Sequence, residues 1–210
     1  MSIPAARERQ QLADELVTAG PDAPTLCEGW TARDLAAHVV IRERRPDAAA
    51  GIIIGALSGH TEKVQSKTAA QDWEVLVDQV RSGPPKWSPT QFEKVDRAAN
   101  TIEFFVHTED VRRAAPWWAP RDLDQELADD LAAALARGAK MLTKSAPTGV
   151  TLAPEGRDEI VAHDGDPMVT VSGPIGELVL FVYGRRDHTQ VEFDGPEDAV
   201  AELRLAEFGI

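Results

Sequence analysis

The chain of 210 residues has one cysteine, a deficit of basic residues and no long apolar run. Cys27 alone cannot close a disulfide within the chain, so nothing in the sequence asks for an oxidising compartment. Only 22 basic residues stand against 35 acidic ones, and a formal charge of -13 argues against nucleic acid or an anionic membrane as partner. The greasiest stretch, AAAGIIIGAL at 48–57, is about half the ~20 residues that a membrane span needs. MSIPAARERQQ has no apolar core of the kind a signal peptide carries. There is no internal repeat and no low-complexity tract. What remains is the expectation of a cytoplasmic globular protein, whose 43% apolar and 27% charged residues are ordinary for that class.

Apolar spacing makes the first half helical. Leu12, Ala13, Leu16 and Val17 predict a helix over 5–19, stopped by Gly20-Pro21. Thr31 with Asp34 three residues on is a capping box, opening a second helix expected to reach about residue 54. GALSGHTEKVQSKTAA, 55–70, reads as a long polar connection. Trp73, Leu76, Val77 and Val80 mark a shorter third helix that ends at SGPP. Ser88-Pro89-Thr90-Gln91 is another capping box, launching a fourth helix that lasts to Ala115-Pro116.

PWWAPRD at 116–122 breaks the pattern and separates an expected domain 1–118 from a second, 122–210. Asp122 with Gln125 caps a fifth helix bearing Leu123, Leu127, Leu131, Leu135 and Leu142. GVTLAP, DEIVAHD, MVTVSG and HTQVEFDG read as short strands. Between them Ile175, Leu178, Val179 and Val182, flanked by Pro174 and Gly184, fit a helix better than a strand. PEDAVAELRLAEF is a last helix. The fold class is mainly α, a helical domain followed by a smaller α+β one.

Within the fourth helix Glu103 and His107 share one face, four residues apart, among Ile102, Phe104, Phe105 and Val106. Of five histidines, only His38 and His107 lie inside long amphipathic helices. Two imidazoles and a carboxylate suit Zn²⁺, Ni²⁺ or Fe²⁺, with positions left open for water or substrate. His38 sits roughly 10 Å from the start of its helix and His107 about 12 Å from the end of its own, at 1.5 Å per residue. The two meet at one level only if these helices are antiparallel, which a crossover at 55–70 permits in up-down-down-up order. The plainer readings are a core or surface histidine and a solvated Glu–His pair. Asp34 either caps its helix or orients His38. Arg42 and Arg45, four and seven residues after His38, are either solvated or a cationic wall suited to an anionic substrate. Asp110 joins these three as a candidate to support the ligands or the substrate. Cys27 reads as a small buried filler, and Trp30, Trp117 and Trp118 as packing.

CEGWTARDLAAHVV followed by NTIEFFVHTEDVRRA resembles the DinB/YfiT-like metalloenzyme superfamily, in the branch similar to mycothiol-dependent maleylpyruvate isomerase. The resemblance covers residues 1–118, places His38, Glu103 and His107 on the family's three metal ligands, and implies an up-down-down-up four-helix metal-binding domain. Zinc is the expected ion. Residues 122–210 resemble that branch's C-terminal domain, an α+β unit likened to sterol-carrier folds, with SGPIGELVLFVYGRR matching best. The branch uses an arginine of this domain at its active site, which makes Arg185 and Arg186 catalytic candidates. The implied function is that of an isomerase or S-transferase in which a low-molecular-weight thiol, mycothiol, attacks a small electrophilic substrate. Two alternatives remain: a metal-dependent hydrolase using the same ligands, and a non-catalytic carrier of a small molecule with a structural metal.

Overall fold

The structure is a computed structural model and describes residues 3–45, 47, 48 and 58–207. It divides into two compact units, Met1–Trp118 and Ala119–Ile210.

The first unit is helical. α1 (Pro4–Ala19) ends at Gly20, and α2 (Ala32–Arg44) begins at the capping box, in which the Asp34 carboxylate accepts from Thr31 N at 3.0 Å and from Thr31 Oγ1 at 2.7 Å. α2 is shorter than its apolar pattern predicts. Arg45 precedes Pro46, whose ring drives the preceding residue out of the helical region, and Arg45 has left it with φ -131° and ψ 74°. The expected continuation through 49–54 lies outside the described residues.

The supposed polar connection is corrected as well, because Ser58–Ala69 form a helix, α3; residues 55–57 are outside the described set. Its buried residues are Thr61, Val64, Thr68 and Ala69, too polar a face for aliphatic spacing to reveal. Thr68 satisfies its hydroxyl on the Val64 carbonyl, 2.8 Å away within the helix. α4 (Trp73–Ser82) follows, capped by Asp72. Residues Pro89–Gln91 make a single 3₁₀ turn instead of opening a helix, with Ser88 and Thr90 hydroxyls bonded to each other at 2.8 Å. α5 starts later, at Glu93, and ends at Arg112, short of Ala115.

Side-chain contacts fix the directions of these helices. As α2 advances from His38 to Arg42 to Glu43, its partners step back along α5 from His107 and Glu103 to Ala99 and Asn100, so the two are antiparallel. α1 runs with α5, since Arg9 meets Asp96 and Glu15 meets Arg112. α2 runs with α4, Arg33 reaching the Gln71 carbonyl and Arg44 that of Gln79. Leu12, Leu16, Leu35, Leu76, Val80 and Phe104 fill the core among them.

In the second unit α6 (Gln125–Leu142) is capped by Asp124 rather than Asp122. The reason is reach: the Asp124 carboxylate accepts from Leu127 N at 2.9 Å, in the position of an N-cap. Strands β1 (Gly149–Pro154), β2 (Ile160–His163), β3 (Met168–Gly173) and β4 (Glu192–Asp194) form one sheet in the order β2-β1-β3-β4. Only the β1–β3 pair is parallel. α7 (Ile175–Val182) is the helix that 3.6-residue spacing predicts, and all eight of its residues are buried. α8 (Glu197–Leu205) closes the unit. Among the described residues no helix is long and apolar enough to cross a membrane.

Strand β1 can start where it does only because two glycines face each other. A Cβ on Gly149 would lie 2.3 Å from the Gly165 carbonyl oxygen, and one on Gly165 would lie 2.7 Å from Gly149 N. Both obstacles are backbone and cannot swing aside. Gly149→Ala is therefore expected to destabilise this unit by about 1–3 kcal/mol, as overpacking does. Urea unfolding checks it: the midpoint falls with little change in slope, and an unmoved midpoint contradicts the account.

Candidate metal centre

α5 carries Asp96, Asn100, Glu103, His107 and Asp110 at alternating steps of four and three, which keeps all five on one face. Four of them are buried and Glu103 is half-buried. A polar stripe of this kind inside a bundle must find partners, because each unpaired group loses its hydration without replacement.

At the middle of the stripe, α2 delivers His38. Glu103 Oε1 lies 3.4 Å from His38 Nε2 and 3.2 Å from His107 Nε2. One donor atom from each of the three residues lies within 4.8 Å of the others. Donors bound at ~2 Å to a shared ion stand roughly 3–4 Å apart, so this set has the size that one transition-metal ion spans. Two imidazole nitrogens and a carboxylate oxygen also have the right chemistry for Zn²⁺ or its neighbours.

His107 has a second partner behind it. Its Nδ1 is 3.0 Å from Asp110 Oδ2, and the Asp110 carboxylate is fully buried. A carboxylate there holds a proton on Nδ1 and makes Nε2 the nitrogen that would face an ion once it is deprotonated, which is how histidine ligands are commonly fixed. Cys27 Sγ reaches the same Oδ2 at 3.2 Å, and Leu26 N donates to the Asp110 backbone carbonyl at 3.0 Å. Cys27 is thus half-buried, packs against the helical core as a filler would, and is in addition a hydrogen-bonding partner of Asp110. Trp30, from the same loop, lays its ring 5.2 Å from that of His38.

The electrostatics sort the three donors. Burial pushes His38 below its ordinary 6.5, the bond to Glu103 only partly opposing it, so this ring is neutral and ready to donate. Burial opposes the charge on Glu103, yet hydrogen bonds from His107 and His38 hold its carboxyl well below the usual range. Burial likewise opposes a charge on His107, but bonds to Asp110, Cys27 and Glu103 raise it well above the ordinary value. Nε2 of His107 would have to shed its proton before donating to an ion, so uptake of a metal there would release a proton. Asp110→Asn should lower metal affinity by about 10–100-fold while keeping the side-chain volume. Competition against a chromogenic chelator measures it, and unchanged affinity would remove Asp110 from the centre.

The other residues singled out from sequence fall in different places. Arg42 lies in the centre, its Nε 3.3 Å from Glu103 Oε1. Arg45 does not; it is exposed and paired with Asp47 at 2.8 Å. The Asp34 carboxylate is taken up by Thr31, which favours the capping role over orientation of His38. Trp117 is 92% exposed, and Trp118 lies under the Arg113 guanidinium at 4.5 Å. Arg185 and Arg186 belong to the second unit, where Arg185 bonds the Tyr183 carbonyl and Arg186 that of Arg204. Arg186 lines a cavity of about 90 Å³ with Phe181, Thr189, Phe193 and Arg204.

Arg9, Glu43, Asp96 and Asn100, which continue the polar stripe below Glu103, are absent from the sequence reading. Arg9 Nη2 donates to Glu43 at 2.6 Å and to Asp96 at 3.1 Å, and Asn100 donates to Asp96 at 2.7 Å. The four-three spacing from 96 to 110 was the signal that could have found two of them.

The fold and the site together define a class: a helical unit with a largely buried two-histidine, one-carboxylate cluster, joined to a small α+β unit. Among solved structures the chain is similar to the crystal structure of mycothiol-dependent maleylpyruvate isomerase, at 17% identity, a TM-score of 0.54 and 90% coverage of each chain. A histidine-to-alanine mutant of that enzyme matches at 16% identity with the same TM-score and coverage. At such identity the likeness is one of fold, and the chain has the fold of that isomerase. No protein-family model and no curated protein matches the sequence.

Proposed function

We propose that the first unit is an up-down-down-up bundle that binds one divalent ion through His38, Glu103 and His107, and that the protein is a thiol-dependent isomerase or S-transferase. The observation that carries the metal assignment is the convergence of three donors with Asp110 behind His107. The helix directions support the bundle order. When bound, the ion supplies Lewis acidity and open coordination positions for an exogenous thiol or water. Zinc fits the donor set, and a low-molecular-weight thiol such as mycothiol is drawn from the structural neighbour.

The chain's own residues then have separable tasks. Asp110 keeps the His107 proton on Nδ1, Arg42 holds Glu103, and Trp30 covers the His38 ring from the loop side. Arg185 or Arg186 is the candidate to bind an anionic group of a small electrophilic substrate, being suited to carboxylates. A protein nucleophile is not required in this scheme.

The test is a screen of metal-loaded protein for mycothiol-dependent isomerisation of maleylpyruvate and for conjugation of other small electrophiles. Turnover that needs both thiol and metal, and is lost in His107→Ala, is the expected result. Ester or amide hydrolysis without thiol would assign the hydrolase, which the same three donors serve.

A further inference from the structure

We propose that Arg42 sets the charge preference of the centre, so that it takes an anionic exogenous ligand in preference to a neutral one. This rests on the metal assignment above.

All three guanidinium nitrogens of Arg42 are engaged. Nε faces Glu103 Oε1 at 3.3 Å, Nη1 donates to Asn100 Oδ1, and Nη2 donates to the Ala99 carbonyl at 3.0 Å. Asn100 is fully buried and cannot turn, since its amide nitrogen donates to Asp96 at 2.7 Å and Glu43 at 3.5 Å. Its oxygen is therefore aimed at Arg42. Arg9 in turn fixes Asp96 and Glu43. The guanidinium is thus held against a donor carboxylate by a chain of buried partners, whereas a solvated arginine would be free to leave.

Counting charges shows the consequence. A divalent ion with two neutral imidazoles, the Glu103 carboxylate and the Asp110 carboxylate behind His107 would make a neutral assembly. Arg42 adds one positive charge that nothing in that set cancels; the Arg9–Glu43–Asp96 cluster, with one carboxylate more than guanidinium, is set apart from the open position by Asn100. In a half-buried site such a charge acts several times more strongly than in water. An anion entering the open position meets a cationic centre, while a neutral ligand gains nothing from the excess.

The rival role is orientation only, with Arg42 steering Glu103 and its charge incidental. Two substitutions separate them. Arg42→Gln can still donate to Glu103 but lacks the charge, and Arg42→Lys keeps the charge but loses the planar three-point anchorage. The experiment loads native protein and both variants with Co²⁺, confirms metal content by elemental analysis, and titrates each with azide and, separately, with imidazole. Visible absorbance of the cobalt reports binding.

Arg42→Gln should weaken azide by about tenfold and leave imidazole unchanged, with Arg42→Lys close to native. Equal loss of both ligands in Arg42→Gln, or undiminished azide binding, overturns the proposal. Should Arg42→Gln fail to hold cobalt, Arg42→Lys decides: native azide affinity upholds the charge role, and lost affinity refutes it. Native protein that takes up no cobalt would instead defeat the metal assignment itself, a result visible before any titration.

Discussion

His38→Ala, Glu103→Ala and His107→Ala proteins will each emerge from dialysis without metal, while the native chain keeps close to one divalent ion. Each change deletes one of only three protein donors, and even partners one step removed from a metal are worth about 10–100-fold in affinity. Removing a donor should therefore cost at least ~100-fold. The three losses have different side effects. Glu103→Ala leaves the Arg42 guanidinium beside two imidazoles with no anion among them. His107→Ala takes from the buried Asp110 carboxylate its bond at 3.0 Å. His38→Ala opens space beside Trp30 and takes from Glu103 one of its two imidazole partners. None should unfold the bundle, because Leu12, Leu16, Leu35, Leu76, Val80 and Phe104 pack independently of the site. Elemental analysis with circular dichroism reads both halves of this result. Full metal retention in all three folded variants would end the assignment.

The convergence of His38, Glu103 and His107 was legible because polar residues of these types are rare in a greasy context. They interrupt apolar faces, and their depths along the two helices require the antiparallel pairing that the contacts display. α7 was legible for a similar reason: Ile175, Leu178, Val179 and Val182 keep a helical period that no strand would. What escaped was polar material with a structural task. α3 has threonines on its buried face, Thr68 donating to the Val64 carbonyl of its own helix and Thr61 to that of Ala48, so its period is hidden from a count of aliphatics. Pro46 did mark the end of α2, but the apolar run beyond it hid the signal. Cys27 is silent in sequence because nothing near it in the chain says that Asp110, on α5, is the partner of this loop residue. Helix starts shifted by a few residues: before Gln125 two Asp residues compete to cap and only the folded backbone selects Asp124, while α5 starts at Glu93 behind Phe92 with no side-chain cap.

Replacing Arg9 should destabilise the first unit by about 3–5 kcal/mol at neutral pH, the usual result when one member of a buried ion cluster is removed. Arg9 joins three helices: it starts on α1, bonds Glu43 of α2 and Asp96 of α5, and lies 4.6 Å over the Phe104 ring. Gly83 allows it room at the end of α4, since a Cβ there would come within 3.2 Å of the guanidinium carbon, and the glycine's φ of 72° suits no other residue well. Arg9→Met keeps most of the volume and the contact with Phe104, so what it reports is charge. It leaves two carboxylates facing each other out of water. Glu43 already shows the strain of burial, which pushes its pKa above the ordinary 4.5 while the Arg9 charge and hydrogen bond pull it back only in part. Its second oxygen meets no donor among the described residues. A carboxyl whose folded pKa is raised makes the folded state bind its proton more tightly than the unfolded chain does. Ionising it therefore costs stability as pH rises through the folded value, and the loss is recovered as pH falls toward 4.5. Without Arg9 the folded value rises further, so the penalty of Arg9→Met is largest at neutral pH and shrinks on acidification. Urea unfolding of metal-free native and variant chains at pH 7.5 and pH 5.5 gives the comparison. A penalty that stays constant between the two, or grows at the lower pH, would mean that packing rather than charge makes Arg9 matter.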